Sequence, residues 1–148
     1  MSYELSFYKT NLDKIKEIIA SEDHEEISNG KISEIINSNC EYMGGICHSS
    51  GCSGYFAEYV TTIAGDYFSE PTLYDIFMSR DDLMPSLPDT SISYIKHSEI
   101  ERFIAVTQNK HKEIYFEDND DFEEDLDILE DVFKDALRDN KDIICIYS

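Results

Sequence analysis

Residues 122–147 read FEEDLDILEDVFKDALRDNKDIICIY, and this stretch decides the fold. Phe122, Leu126, Leu129, Phe133 and Leu137 recur at steps of four and three, which lines them up as one stripe on an α-helix. Asp and Glu crowd the opposite face and the first turn, where the helix dipole favours negative charge. After Asn140 the chain passes into DIICIY, an apolar run short enough for a buried strand. The spacing therefore predicts an amphipathic helix followed by a strand, with the strand in a small sheet on which helices pack.

Working outward, the first residues supply a partner for that strand. In SYELSFYK, Tyr3, Leu5 and Phe7 alternate with Glu4, Ser6 and Tyr8, the pattern of a half-buried strand. Thr10 is expected to cap a helix carrying Leu12, Ile15 and Ile19 at helical spacing. Residues 23–38 also read as helical; Gly30 weakens the middle, so either one helix or two short ones are expected, with Ile32, Ile35 and Ile36 facing inward. Two further short helices are expected around Phe56–Gly65 and after Pro71. SISYI, residues 91–95, reads as another strand, and Ser98 with Glu101 as a capping box for a helix ending near Val106. The expected class is α+β: one domain over residues 1–148, mostly helical, with a small sheet that includes the N- and C-terminal strands.

Charge narrows the function. Twelve basic residues stand against 32 acidic ones, a net charge of −20 over 148 residues. Residues 117–148 alone hold 13 acids and 3 bases, half of that net charge. Such a chain repels nucleic acid, which demands a cationic surface, and it repels anionic membrane while attracting basic surfaces. No apolar run approaches the ~20 residues of a membrane span. The opening MSYELSFYKT has no basic flank before an apolar core, so a cytoplasmic location with reduced thiols is the expectation.

Residues 39–52, NCEYMGGICHSSGC, hold the residues that most resemble a reactive or metal centre: Cys40, Cys47, His48 and Cys52. Zinc takes four ligands, usually as two close pairs on separate knuckles. The spacing here, C-x6-C-H-x3-C, lacks that arrangement, and adjacent Cys47 and His48 are poorly placed to reach one ion. A thiol nucleophile needs a base and a donor pocket, and such a base normally arrives from a distant segment. Gly44, Gly45, Gly51 and Gly54 suggest instead a pliant loop leading into a helix at Tyr55. A Cys/His metal-dependent or thiol enzyme built on the 40–52 loop is the alternative function. The leading expectation has no catalytic residues and no cofactor.

The acidic run EDNDDFEEDLDILED does not make a calcium loop. Asp118 and Asp120 fit its start, but Phe122 occupies the third ligand position and no glycine follows. It does suit a protein interface. Asp118, Asp120, Asp121, Glu123, Glu124 and Asp127 would steer a basic partner, with Tyr115 and Phe116 as aromatic anchors.

Three segments, MSYELSFYKTNLDKIKEII, LPDTSISYIKHSEIERF and LRDNKDIICIYS, resemble an uncharacterised family of small bacterial α+β proteins. That resemblance implies a bacterial α+β domain and brings no active-site residue with it. By size and charge the chain is also similar to immunity proteins, which neutralise a cognate toxin. The expectation is a non-enzymatic inhibitor that occludes a basic protein such as a toxin, with no direct contact to nucleic acid or membrane.

Overall fold

The structure is a computed structural model and describes residues 2–21, 29–49, 80, 82, 83, 90–107 and 120–147; at 2, 3, 29, 47–49, 105–107 and 120–126 it describes the backbone alone. The described elements run β1 (Ser2–Thr10), α1 (Leu12–Ser21), α2 (Asn29–Asn39), β2 (Glu41–Ser49), β3 (Ser91–Ile95), α3 (His97–Thr107), α4 (Asp120–Arg138) and β4 (Asp142–Tyr147). The fold is α+β. Its strands form one antiparallel sheet in the order β2-β1-β4-β3, so the first and last strands are the two central ones. The helices expected near Phe56 and after Pro71 lie outside the described residues.

Helices cover both faces of the sheet. On one face Leu5 and Phe7 of β1, Ile46 of β2, Ile95 of β3, and Ile143 and Cys145 of β4 form a core with α3 and α4. Phe7, Phe103 and Phe133 are its largest fully buried side chains, and the last two rings lie 6.4 Å apart. On the other face Ile92, Tyr94 and Ile144 pack against Leu12, Ile15 and Ile19 of α1 and Ile32 and Ile36 of α2. Covering on both faces explains DIICIY. A central strand buried on each side alternates between two cores, so its sequence reads as a continuous apolar run.

The helix ends differ from the local reading. Asn11, not Thr10, caps α1: its side-chain oxygen accepts the N–H groups of Asp13 at 3.1 Å and Lys14 at 3.4 Å. Thr10 is buried at the end of β1 and donates its hydroxyl to the Asn39 carbonyl at 3.3 Å. At α3 the cap lies two residues earlier than Ser98 and Glu101, with Glu99 accepting the Lys96 N–H at 3.1 Å. Asp142 serves both helices at once. One carboxylate oxygen accepts the Leu12 N–H at 2.9 Å and the other the His97 N–H at 2.7 Å. α4 ends as its sequence suggests: Asn140 takes φ 57°, and the N–H of Lys141 reaches back to the Ala136 carbonyl at 2.9 Å.

The glycine-rich segment is the main correction. Residues 41–49 do not loop; they form β2, paired with β1 from Glu41↔Lys9 to Ser49↔Ser2. The pairing slips between Phe7 and Tyr8, where Met43 is the extra residue of a bulge. Gly44 follows at φ +148°, a conformation that side-chain-bearing residues rarely adopt, so its glycine accommodates the bulge without ending the strand.

Candidate functional site

The longest described helix carries the acidic surface. Leu129, Val132, Phe133 and Ala136 are buried and fix one side of α4 to the sheet. Asp127 and Asp131, four residues apart, form a row on the opposite side of the helix, and Asp120 and Glu124 continue the same spacing in the sequence. Asp127 and Asp131 are exposed. No Lys or Arg occurs between residues 113 and 133, a stretch with eleven acids. Of the residues expected to meet a partner, Asp120, Asp121, Glu123, Glu124 and Asp127 share α4, whereas Tyr115, Phe116 and Asp118 lie outside the described residues. Asp131 belongs to the same row, and the four-residue step from Asp127 is the signal that finds it.

The C-terminal end of α4 is electrostatically different. Lys9 crosses from the central strand β1 to Asp139 at 2.5 Å and Asp135 at 3.5 Å, and it also meets Glu41 of β2 at 3.4 Å. The hydrogen bond to Asp139, with the neighbouring carboxylates outweighing burial, raises the Lys9 pKa. The same bond and that of Arg138 lower Asp139. Arg138 pairs with Asp135 and Asp139, and Lys134 with Glu130 at 2.5 Å. These acids are answered within the fold.

A second polar cluster escaped sequence reading. Arg80 donates two parallel hydrogen bonds to Glu99, at 2.8 and 3.0 Å, and one to the Tyr94 carbonyl at 3.1 Å. Its guanidinium also lies 4.9 Å from the Tyr94 ring centre, and the Tyr94 hydroxyl donates to Asp82 at 2.9 Å. Burial alone would raise the Glu99 pKa, but Arg80 and the Lys96 N–H outweigh it and hold the carboxyl below its usual range. The arrangement ties the segment before β3 to the start of α3. It is a structural clasp whose partners, nineteen residues apart, follow no local pattern.

Among the described residues, the cysteine segment does not bring Cys40 to Cys47 and His48. β2 runs extended between Cys40 and Cys47, a separation of roughly 20 Å at the rise of a strand. Cys40 therefore cannot share an ion with Cys47 and His48. Those two are consecutive on β2, opposite Glu4 and Tyr3, and a strand places consecutive positions on opposite faces. Cys52 lies outside the described residues, among which no group of three or more His, Cys, Asp or Glu could hold a metal.

Cys40 borders a cleft of about 340 Å³ between the start of α1 and the end of α2, where Lys9, Lys14 and Lys141 also stand. Burial pushes its thiol pKa up, against smaller opposing pulls from Thr10 and Lys14. A nucleophilic cysteine needs the reverse. Cys145 is buried in β4 as a small core residue, and burial drives its pKa far upward.

No helix among the described residues is long and apolar enough to cross a membrane. Comparison of the chain with protein-family models, with curated proteins and with solved structures finds no match. The reading of function therefore rests on the chain's own geometry and charge.

Proposed function

We propose that this chain is a non-enzymatic binding protein that docks a basic protein on the outer face of α4, as an immunity or inhibitor protein does with a toxin in the cytoplasm. The observation that carries the reading is the acidic row on a helix anchored to the core by Leu129, Val132, Phe133 and Ala136. A field of one sign on a rigid support accelerates encounter with an oppositely charged partner and fixes its orientation. The charge of −20 extends that attraction beyond the contact itself.

The test uses the whole chain, immobilised and exposed to an extract of its source cell at low ionic strength. A basic protein should be retained, should elute as salt rises, and should be lost when Asp127 and Asp131 are both changed to Asn. A basic model protein such as lysozyme supplies the non-specific baseline. Retention of the same partner by the doubly substituted chain, with an on-rate indifferent to salt, rules the reading out.

A further inference from the structure

We propose that the basic partner enters as an extended segment added to the outer edge of β2, beside the acidic row of α4; this rests on the reading of that row as a surface for basic protein. β2 is an edge strand nine residues long, and among the described residues β1 alone pairs with it. An edge of that length offers a row of backbone donors and acceptors to another strand.

α4 overhangs the same edge. A side chain at Gly44 of β2 would touch the Ile128 side chain of α4 at 3.8 Å, and Lys9 joins Asp135 of α4 to Glu41 of β2. Asp131, exposed, lies between Ile128 and Asp135 along the helix. On the opposite face of the sheet Tyr42 is 55% exposed and stacks edge-on against Tyr8, with ring centres 5.4 Å apart. An added strand would send alternate side chains to these two faces. One set would meet the carboxylates of α4 and the other the ring of Tyr42. The segment that fits carries Lys or Arg at every second position with apolar residues between. A second copy of this chain is a poor occupant, because it would bring another acidic helix to the same edge.

The experiment titrates the 15N-labelled chain, at low salt, with a capped heptapeptide alternating Lys and Val. Two twins of equal charge, N-methylated at the lysines or at the valines, remove backbone donors from one edge of the peptide or the other. The parent peptide should shift the amides of residues 41–49 as well as those of α4. It should bind about tenfold tighter than one of the twins, the worth of one or two net hydrogen bonds. Equal binding of all three peptides, with shifts confined to α4 and abolished in the D127N/D131N chain, overturns the edge proposal and leaves the acidic-face reading standing. Absence of shifts in both β2 and α4 overturns both.

Discussion

The two ends of α4 use the same residue types for different ends. Toward its C-terminus Asp135 and Asp139 are held by Lys9 and Arg138, and Glu130 by Lys134, so these acids bind the helix to the sheet and to itself. Toward its N-terminus seven further acids lie between 120 and 131, while the sequence offers no Lys or Arg from 113 to 133. An acidic helix is thus divided by where its counter-charges lie. The C-terminal half spends its charge on the fold, while Asp127 and Asp131 stand exposed on the outer side.

The sharpest way to break this contrast is to release the helix from its support. Phe133→Ala removes a fully buried ring beside Phe103 and should cost about 3–5 kcal/mol, read by urea denaturation. Binding of a basic partner should fall with it, since the acidic row depends on that anchor. If binding persists in a chain whose folded fraction has collapsed, rigid presentation of the row is not what matters.

Next in size is Asp142→Ala, which removes one carboxylate from two helix starts. A loss of roughly 2 kcal/mol is expected, about 1 for each cap, and Asp142→Asn should recover part of it. Neither change touches α4, so both halves of the helix should weaken together rather than separate.

Glu99→Gln breaks the charged clasp with Arg80, whose side chains are both largely covered, and should cost roughly 1–2 kcal/mol near neutral pH. Because Glu99 has a lowered folded pKa, its contribution is complete above the ordinary value of 4.5 and is lost as pH falls through the lower folded value. Acid titration of stability should accordingly show a shallower fall for the Glu99→Gln chain. Matching acid limbs for the two chains would mean that the clasp contributes nothing through ionisation.

The smallest stability effect is expected at the surface that matters most for binding. Asp127→Asn with Asp131→Asn should move the unfolding free energy by no more than about 0.5 kcal/mol per site, while lowering both the on-rate for a basic partner and its salt dependence. Loss of stability well beyond that would show that the N-terminal acids, like the C-terminal ones, serve the fold.

What was legible in the sequence follows from whether the signal was local. α4 and β4 declared themselves because one helix face and one buried strand each carry their own pattern, and Leu129, Phe133, Ile143 and Cys145 are all buried. The alternation of Leu5 and Phe7 placed β1 in the same way. β2 was hidden because Gly44 and Gly45 stand where a period-2 pattern would show side chains, leaving Ile46 as the one buried apolar position described there. The caps lie one and two residues from the expected ones, at Asn11 and Lys96, where a neighbouring Thr or Ser offered an equally good local signal. The added cap from Asp142 reaches α1 across 130 residues and α3 across 45, and no window of local sequence contains both partners. The acidic residues on α4 were readable as a cluster, but their division into two halves required Lys9, which arrives from the first strand.

That long reach of Asp142 bears on the order in which the molecule is made. β4 lies between β1 and β3, and its first residue closes the starts of both α1 and α3. During synthesis, Leu12 leaves the ribosome 130 residues before Asp142, a delay on the order of ten seconds. Throughout that interval β1 lacks its central neighbour and α1 has only Asn11 at its start. A nascent chain halted before residue 142 should therefore be open to proteases in β1, α1 and α3, and protection of these elements should arrive in a single step once β4 has been translated.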